Sequence, residues 1–560
     1  MNARSDWRRF AFPLALLALC GALYFWRLGL TPLEDFDEAY YAEGAREMLA
    51  RRDLGTPYFN GQPFLLKPVL IYWMIAAAFR LFGPTEFAAR VGSACLGTAV
   101  VLFTYWFAAS TLGRRAGLIA GLALALCYMW IDIARDASID VPLTAAAAPA
   151  MFFFYLGTRA APGRKRRLYL ASYPLLGLAL LAKGPVPFGV VICGLAAYLV
   201  ASGRTRATLR EACLLPGIAL MLAVATPWYV YELIHEPAFF STFFVGEHFG
   251  HIHGQLARTG PVWRNIEYLA VCFYPWVAFL PGAFAKAFEQ RDRQHVLRFS
   301  AWWSLAVIIL FSIPRSKLAH YLAPAFPPMA IMVGAWLDDW LTRKSAGRGW
   351  VGFAVAALAG GAVFCGLAAA LALAPPAWLQ ARLASKFGAW TPGFSPVVML
   401  GAIAVGSSVA VAGARLRRAA VVPVLSGAML VAGFGLVGWF NPRKAEIQAQ
   451  PRKELAQFLA SNAPAAMPVG VYYAKRNSTI FYLGRPIVDL GERQDEFAGV
   501  VRFLSSPTPA VVITHRRFLP ETAASLKHGQ DANASDSEPP YLWQEKGDFV
   551  ALSNRPLRDR

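Results

Sequence analysis

Charge is scarce in this chain. Asp, Glu, Lys and Arg together make up 16% of its 560 residues, against 57% hydrophobic residues. So little charge cannot solvate the surface of a soluble protein of this length, so lipid is the main solvent. Nucleotide-binding glycine loops are missing too, as is any internal repeat at a fixed period, which removes P-loop and sugar-nucleotide chemistry and solenoid folds. Cysteine supplies no framework: Cys20, Cys95, Cys127, Cys193, Cys213, Cys272 and Cys365 lie in or beside apolar segments without paired spacing. They read as small buried residues, neither a disulfide set nor a metal set.

The charge that is present leans basic, with a net +20 at pH 7. Its placement argues against nucleic acid. Arg114 with Arg115, Arg159 with 164–167, 204–210, 286–298, 343–348 and 415–418 make every second loop basic, as cytoplasmic loops are. Spanning helices are expected near 11–30, 87–111, 116–134, 140–158, 167–182, 185–201, 212–231, 264–285, 299–313, 321–340, 350–374, 395–414 and 419–440. The first follows Arg4, Arg8 and Arg9 and reads as a retained helix, because bulky Tyr24, Phe25 and Trp26 sit where a signal-peptide cleavage site would fall. Residues 68–82 are left out. They are short, carry Arg80, and as a crossing would put the later basic loops outside, so they read as an interfacial or re-entrant helix on the exterior face. The sequence therefore predicts a polytopic α-helical membrane domain, 1–440, with an exterior loop 31–86 carrying interfacial helices. With the N-terminus inside, 441–560 lies outside as a small α/β domain: a helix-compatible stretch at 444–459, strand-like runs at 469–473, 487–490, 510–514 and 549–552, and a polar surface loop at 529–540.

Carboxylates beside a bilayer are costly unless solvated, paired or used. In the first exterior loop, Asp35 and Glu38 fit a capping box. Asp37 opens a helix whose Tyr41, Ala42, Ala45 and Met48 form an apolar stripe, which aims it at a cavity. A second set, Asp132, Asp136 and Asp140 around Arg135, has the spacing of one helical face; Asp140 reads equally as a helix cap or as a second site carboxylate. Lys67, Lys183, Arg315 and Lys317 fall at exterior span ends, where Lys and Arg should be rare. Snorkelling explains any one of them, whereas a bound phosphate explains the set. The loop after Trp228 and Tyr229 holds Glu232, His235, Glu236, Glu247, His248, His251 and His253. It permits a divalent metal with His248 as a ligand, although no zinc spacing is matched; otherwise these are interfacial polar residues.

Several short motifs resemble the GT-C glycosyltransferases that use lipid carriers, closest to the bacterial aminoarabinose transferases of lipid A and related to protein O-mannosyltransferases. They are Asp37-Glu38-Ala39-Tyr40-Tyr41-Ala42-Glu43 with Arg46-Glu47-Met48-Leu49, Lys67-Pro68, Tyr72-Trp73, Lys183-Gly184, Phe243-Phe244 with Glu247-His248, and Ser316-Lys317-Leu318 with Tyr321. The resemblance implies a sugar donor on undecaprenyl phosphate, 4-amino-4-deoxy-L-arabinose or a related sugar. It further implies an inverting transfer to lipid A or another envelope acceptor at the periplasmic face of the inner membrane. Asp37 would be the principal catalytic carboxylate and Asp140 the family's second Asp. Lys67, with Tyr321, Lys317, Arg315 and Lys183, would hold the carrier phosphate, and Glu38, Tyr40, Tyr41, Glu247 and His251 would position donor and acceptor. Three positions depart from the family's pattern. Tyr40 stands for an Arg, Leu66 for a Glu that bears on metal binding, and no Arg follows the Glu-His pair near His251. A transporter of lipid-linked glycans is the rival reading; it would show paired intramembrane charges and two symmetric halves, and the sequence has neither.

Overall fold

The computed structural model describes residues 7–35, 37–247, 259–289, 295–342, 348–373, 394–474, 476–491, 496–528 and 540–556. Each expected span falls on helix. In order these are Trp7–Cys20 continued by Gly21–Phe25, Glu86–Leu112, Arg114–Ala125 with Tyr128–Ala134, Asp140–Arg159, Pro162–Lys183, Val186–Ala201, Leu214–His235, Arg264–Cys272 with Trp276–Phe279 and Leu280–Phe288, His295–Ser312, Ala319–Ala325 with Phe326–Thr342, Arg348–Leu373, Phe394–Leu416, and Val421–Gly435 with Leu436–Phe440. Six of these helices are long and apolar enough to cross a bilayer unaided, and eight are when two bent pairs count as one span each. The chain is a multi-span membrane protein. The others fall short for local reasons. Pro162–Lys183 begins with four basic residues in its first turns, and Phe10–Phe25, Phe188–Ala201 and Leu400–Gly413 are shorter apolar helices. The bends, of 65° and 110°, fall between Ala125 and Tyr128 and between Cys272 and Trp276. At the second, Pro275 removes the N–H that a continuing helix would need.

The segment excluded from the crossings is a 13-residue helix, Leu70–Phe82, roughly 20 Å long at 1.5 Å per residue and too short for a ~30 Å core. Its Ile71, Tyr72, Ile75 and Phe79 pack against Tyr41, Ala42, Ala45 and Met48 of Asp37–Arg51 in an apolar cluster of their own, separate from the core of the bundle. The expected stripe is therefore real, and it is fully covered.

Asp132, Asp136 and Asp140 do not share a helical face. Tyr128–Ala134 ends before Arg135 and a new helix begins at Asp140. Within the break, the Arg135 guanidinium donates to the carbonyls of Leu23, Tyr24 and Trp26 at 2.8, 3.0 and 3.0 Å. It thereby satisfies the end of the first span, whose carbonyls have no helical partner.

Beyond the bundle, five strands form one sheet in the order Val488–Asp489, Val469–Val471, Val511–His515, Phe549–Ser553, Tyr541–Lys546. The first three are parallel, joined by helices Arg476–Leu483 and Phe497–Leu504, and the last two are antiparallel. Tyr541–Lys546 was not expected; it is an edge strand with three charged or amide side chains, which hides the apolar alternation of a strand. The helix-compatible stretch at 444–459, interrupted near Pro451 as its sequence suggests, is two helices, Asn441–Gln448 and Gln450–Asn462, the second with Pro451 in its first turn. Nearly all of the loop expected at 529–540 lies outside the described residues.

This α/β unit is fastened to the loop region 31–86 of the bundle. Asp35 Oδ1 accepts the Ser478 N–H at 2.8 Å and the Ser478 hydroxyl at 2.9 Å, and the Asp35 carbonyl accepts from Asn477. Lys453 and Tyr482 both donate to Glu86, and Asn60 pairs with both backbone groups of Ile487.

Candidate active site

Five elements bring ionisable side chains together at one end of the bundle. Asp140 is the first residue of Asp140–Arg159, where a carboxylate is stabilised by the helix dipole. Lys183 is the last residue of Pro162–Lys183, which stops because Gly184 takes a left-handed backbone, φ +74°. The two antiparallel helix ends meet: Lys183 Nζ lies 2.5 Å from Asp140 Oδ1, with Asp140 buried. Asp140 stands in the first turn of its helix, and its carboxylate is engaged in the ion pair with Lys183. The Lys183 ammonium also sits over the Tyr321 ring, 4.5 Å from its centroid.

Lys67 precedes Pro68 in the bend that leads into Leu70–Phe82. Its ammonium pairs with Glu247, the buried last residue of the π-helix Phe240–Glu247. That helix is held by stacking of Phe239 on Phe243, at 5.2 Å and 6°. Asp37, first in its helix, is exposed. Asp37, Asp140 and Glu247 all lie close enough to act electrostatically on the buried hydroxyls of Tyr41 and Tyr321. The Tyr41 and Tyr72 rings meet edge to face at 5.6 Å, and among the described residues neither hydroxyl has a hydrogen-bond partner. Tyr40 is half-buried between Phe59 and Phe64, at 4.3 and 4.8 Å.

Other expected residues have different surroundings. Both Glu38 oxygens are engaged by the Arg90 guanidinium, at 2.6 Å each, and by the backbone N–H groups of Ala137 and Glu34. Arg90 donates its remaining hydrogens to Leu28, Thr31 and Pro32. Although burial opposes it, Arg90 holds the Glu38 carboxyl down at about 2. Asp136, half-buried beside Glu38, is pushed the other way by loss of solvent and by the Glu38 charge, well above the carboxylate range. The expected capping box is absent: Glu38 reaches the Glu34 N–H, while Asp35 faces Ser478. Lys317 is buried and donates to the carbonyls of Phe311, Ser312 and Pro314. Arg315 is exposed. His248 and His251 lie outside the described residues.

Sequence reasoning overlooked His320. Its Nε2 stands 3.7 Å from Asp140 Oδ2, and its ring is within electrostatic range of Asp140, Lys183, Asp37 and Lys67 at once. The available signal was its position immediately before Tyr321.

The family model for dolichyl-phosphate-mannose-protein mannosyltransferases matches residues 66–231. An undecaprenyl phosphate-alpha-4-amino-4-deoxy-L-arabinose arabinosyl transferase of Erwinia tasmaniensis is 30% identical over 434 residues, which are 75% of each chain. The chain belongs to that arabinosyl transferase family. Members from Aeromonas salmonicida and Edwardsiella ictaluri are 30% and 29% identical, and the chain spans 60% and 55% of their lengths. ArnT of Cupriavidus metallidurans, solved bound to undecaprenyl phosphate, superposes with a TM-score of 0.79 over 98% of both chains at 22% identity, so the GT-C fold extends along the whole chain.

Leu66 offers no metal ligand, Glu247 is paired with Lys67, and among the described residues no three His, Cys, Asp or Glu side chains converge; the expected ligand His248 lies outside the described residues.

Proposed function

We propose that the protein is an inverting glycosyltransferase that moves 4-amino-4-deoxy-L-arabinose, or a related sugar, from undecaprenyl phosphate to lipid A. The reaction takes place at the periplasmic face of a bacterial inner membrane, with the N-terminus cytoplasmic and 441–560 forming a periplasmic domain. One observation carries the reading: Lys67 and Lys183 converge at the exterior end of the bundle, each held by a single carboxylate that a phosphate can replace. The Lys183 ammonium over the Tyr321 ring, with Lys67 as a second cation, suits a phosphate whose negative charge grows as the sugar–oxygen bond breaks. Asp37, exposed at the start of its helix, orients or deprotonates the acceptor, and attack from the face opposite the departing phosphate inverts the anomeric centre.

A second reading keeps the fold and donor but gives the sugar to a protein, a glycan or another envelope lipid. It is favoured by Tyr40, an apolar wedge between two Phe rings, where the family's Arg would meet an anionic acceptor. Both are tested by incubating purified protein with lipid-linked sugar donors and membrane-extract acceptors. Sugar on lipid A supports the first reading and sugar elsewhere the second. Full activity in a correctly folded Asp37→Asn variant overturns the role of Asp37, and absence of any transfer in detergent favours the glycan transporter.

A further inference from the structure

Tyr72 follows Lys67 by five residues, in the first turn of Leu70–Phe82. Its ring is held on several sides. The backbone of Gly44 closes one of them, since a Cβ there would come within 2.6 Å of Tyr72 Cε1 and 2.9 Å of Cδ1. The Tyr41 ring meets it edge to face at 5.6 Å, and the neighbouring Trp73 is tied down by its indole N–H, which donates to the Leu54 carbonyl at 2.7 Å. A ring so placed fixes where the hydroxyl oxygen sits. The side chain is fully buried, and among the described residues that hydroxyl has no hydrogen-bond partner. Buried hydroxyls are normally paired, and one that is not costs stability that a phenylalanine would keep.

The groups around it are those of the site. Tyr41 lies one helical turn after Asp37 on the same face, and Glu247 holds Lys67. Burial first, then the charges of Asp37 and Glu247, push the Tyr72 phenol well above its ordinary range, so the hydroxyl keeps its proton and can donate. In an inverting displacement the acceptor and the departing phosphate stand on opposite faces of the sugar. With the acceptor at Asp37 and the phosphate at Lys67, the sugar lies between them, beside a hydroxyl on which both Asp37 and the partner of Lys67 act. Burial without a partner is not enough by itself. Tyr169 is equally buried and, among the described residues, equally unpaired, yet it stands 14 residues before Lys183 on the same helix, roughly 21 Å from this end of the bundle.

We propose that Tyr72 lines the subsite for the donor's sugar and that its hydroxyl donates a hydrogen bond to a hydroxyl oxygen of that sugar. The inference rests on the carrier-phosphate reading above. The bond forms only when the donor is bound, so the sugar supplies the partner that the empty protein lacks. A carrier without its sugar leaves the phenol as it was. No proton is transferred; the contact orients the anomeric carbon between acceptor and phosphate.

The test uses the full-length protein in detergent and three measurements: thermal midpoint without ligand, binding of undecaprenyl phosphate that bears no sugar, and binding and turnover of undecaprenyl phosphate bearing 4-amino-4-deoxy-L-arabinose. Tyr72→Phe should keep or raise the midpoint and bind the sugarless carrier as wild type does. It should lose about 10-fold in affinity for the sugar-bearing donor and in kcat/KM. Tyr169→Phe, which removes a buried unpaired hydroxyl far from the site, should leave both ligands unaffected. Wild-type affinity and turnover of the sugar-bearing donor in Tyr72→Phe overturn the proposal. An equal loss for the sugarless carrier also overturns it, by putting the hydroxyl on the phosphate, and so does an equal loss in Tyr169→Phe. If Tyr72→Phe does not fold, 3-fluorotyrosine at position 72, a stronger donor, should tighten the sugar-bearing ligand alone, and no change in its affinity is the overturning result. Failure of wild type to bind either ligand is a different outcome: it removes the carrier reading itself and the sugar subsite with it.

Discussion

Arg90 and Glu38, 52 residues apart, form a two-pronged ion pair with both N···O distances at 2.6 Å, and both side chains are buried. It joins the exterior helix Asp37–Arg51 to the first full-length span and fixes the direction in which Asp37, one residue earlier, emerges. Removing one member strands the other charge. Glu38→Gln should cost roughly 3–5 kcal/mol, read as a fall in thermal midpoint in detergent. A Glu38→Gln protein with wild-type midpoint and altered KM for donor or acceptor would return Glu38 to the substrate-binding role that the sequence suggested.

Asp136 gives a pH dependence of defined sign. Its native carboxyl holds a proton that the unfolded chain gives up above about pH 4. The native state therefore binds more protons, and stability falls with rising pH by up to ~1.4 kcal/mol per unit until Asp136 ionises. Glu38 acts oppositely: its stabilising charge is lost only as the pH falls from the ordinary carboxylate range toward about 2. Asp136→Asn keeps a neutral side chain and should flatten the alkaline decline between pH 5 and 9. An unchanged slope would mean that Asp136 is ionised in the native state.

Lys67 and Lys317 should separate cleanly. Lys67→Ala is expected to weaken undecaprenyl phosphate binding roughly 10- to 100-fold, the worth of a charge-assisted hydrogen bond, with little change in folding. Lys317 serves three carbonyls at the turn between two helices, so Lys317→Met should lower the yield of folded protein while the folded fraction binds carrier normally. Equal loss of binding in both variants would put Lys317 on the phosphate.

At the join between bundle and tail, Asp35→Ala removes two hydrogen bonds to a buried carboxylate, each worth about 1.5–3 kcal/mol. Faster proteolysis or hydrogen exchange in Arg476–Leu483 is the expected readout, and unchanged protection there would show that the Glu86 and Asn60 contacts suffice.

Much of this architecture was legible because lipid writes plainly into sequence: apolar length, basic loops and Pro-bounded ends placed the spanning helices, and span parity removed Leu70–Phe82 from the crossings, though Thr205–Glu211 lay hidden in a basic loop. Asp37, Asp140, Lys67 and Lys183 stood out because charge beside a bilayer demands a reason. Partners were not legible. Spacing in sequence suggested that Asp35 capped with Glu38 and that Asp132, Asp136 and Asp140 shared a face. Their actual partners, Ser478, Arg90 and Lys183, are 443, 52 and 43 residues away from Asp35, Glu38 and Asp140 respectively. His320 was hidden because a single histidine in an apolar turn carries no pattern. Only the fold sets it against Asp140.

The Asp35–Ser478 contact also imposes a schedule on biosynthesis. The loop that presents Asp37 leaves the ribosome 443 residues ahead of its fastener, roughly 20–90 s at the usual 5–20 residues per second. During that interval the bundle can insert and pack while the mouth of the site has no lid-side partner. A nascent chain that has not yet reached Ser478 thus carries the ionisable residues of the cluster yet lacks the clasp to Asp35, so that contact forms only once residue 478 has emerged.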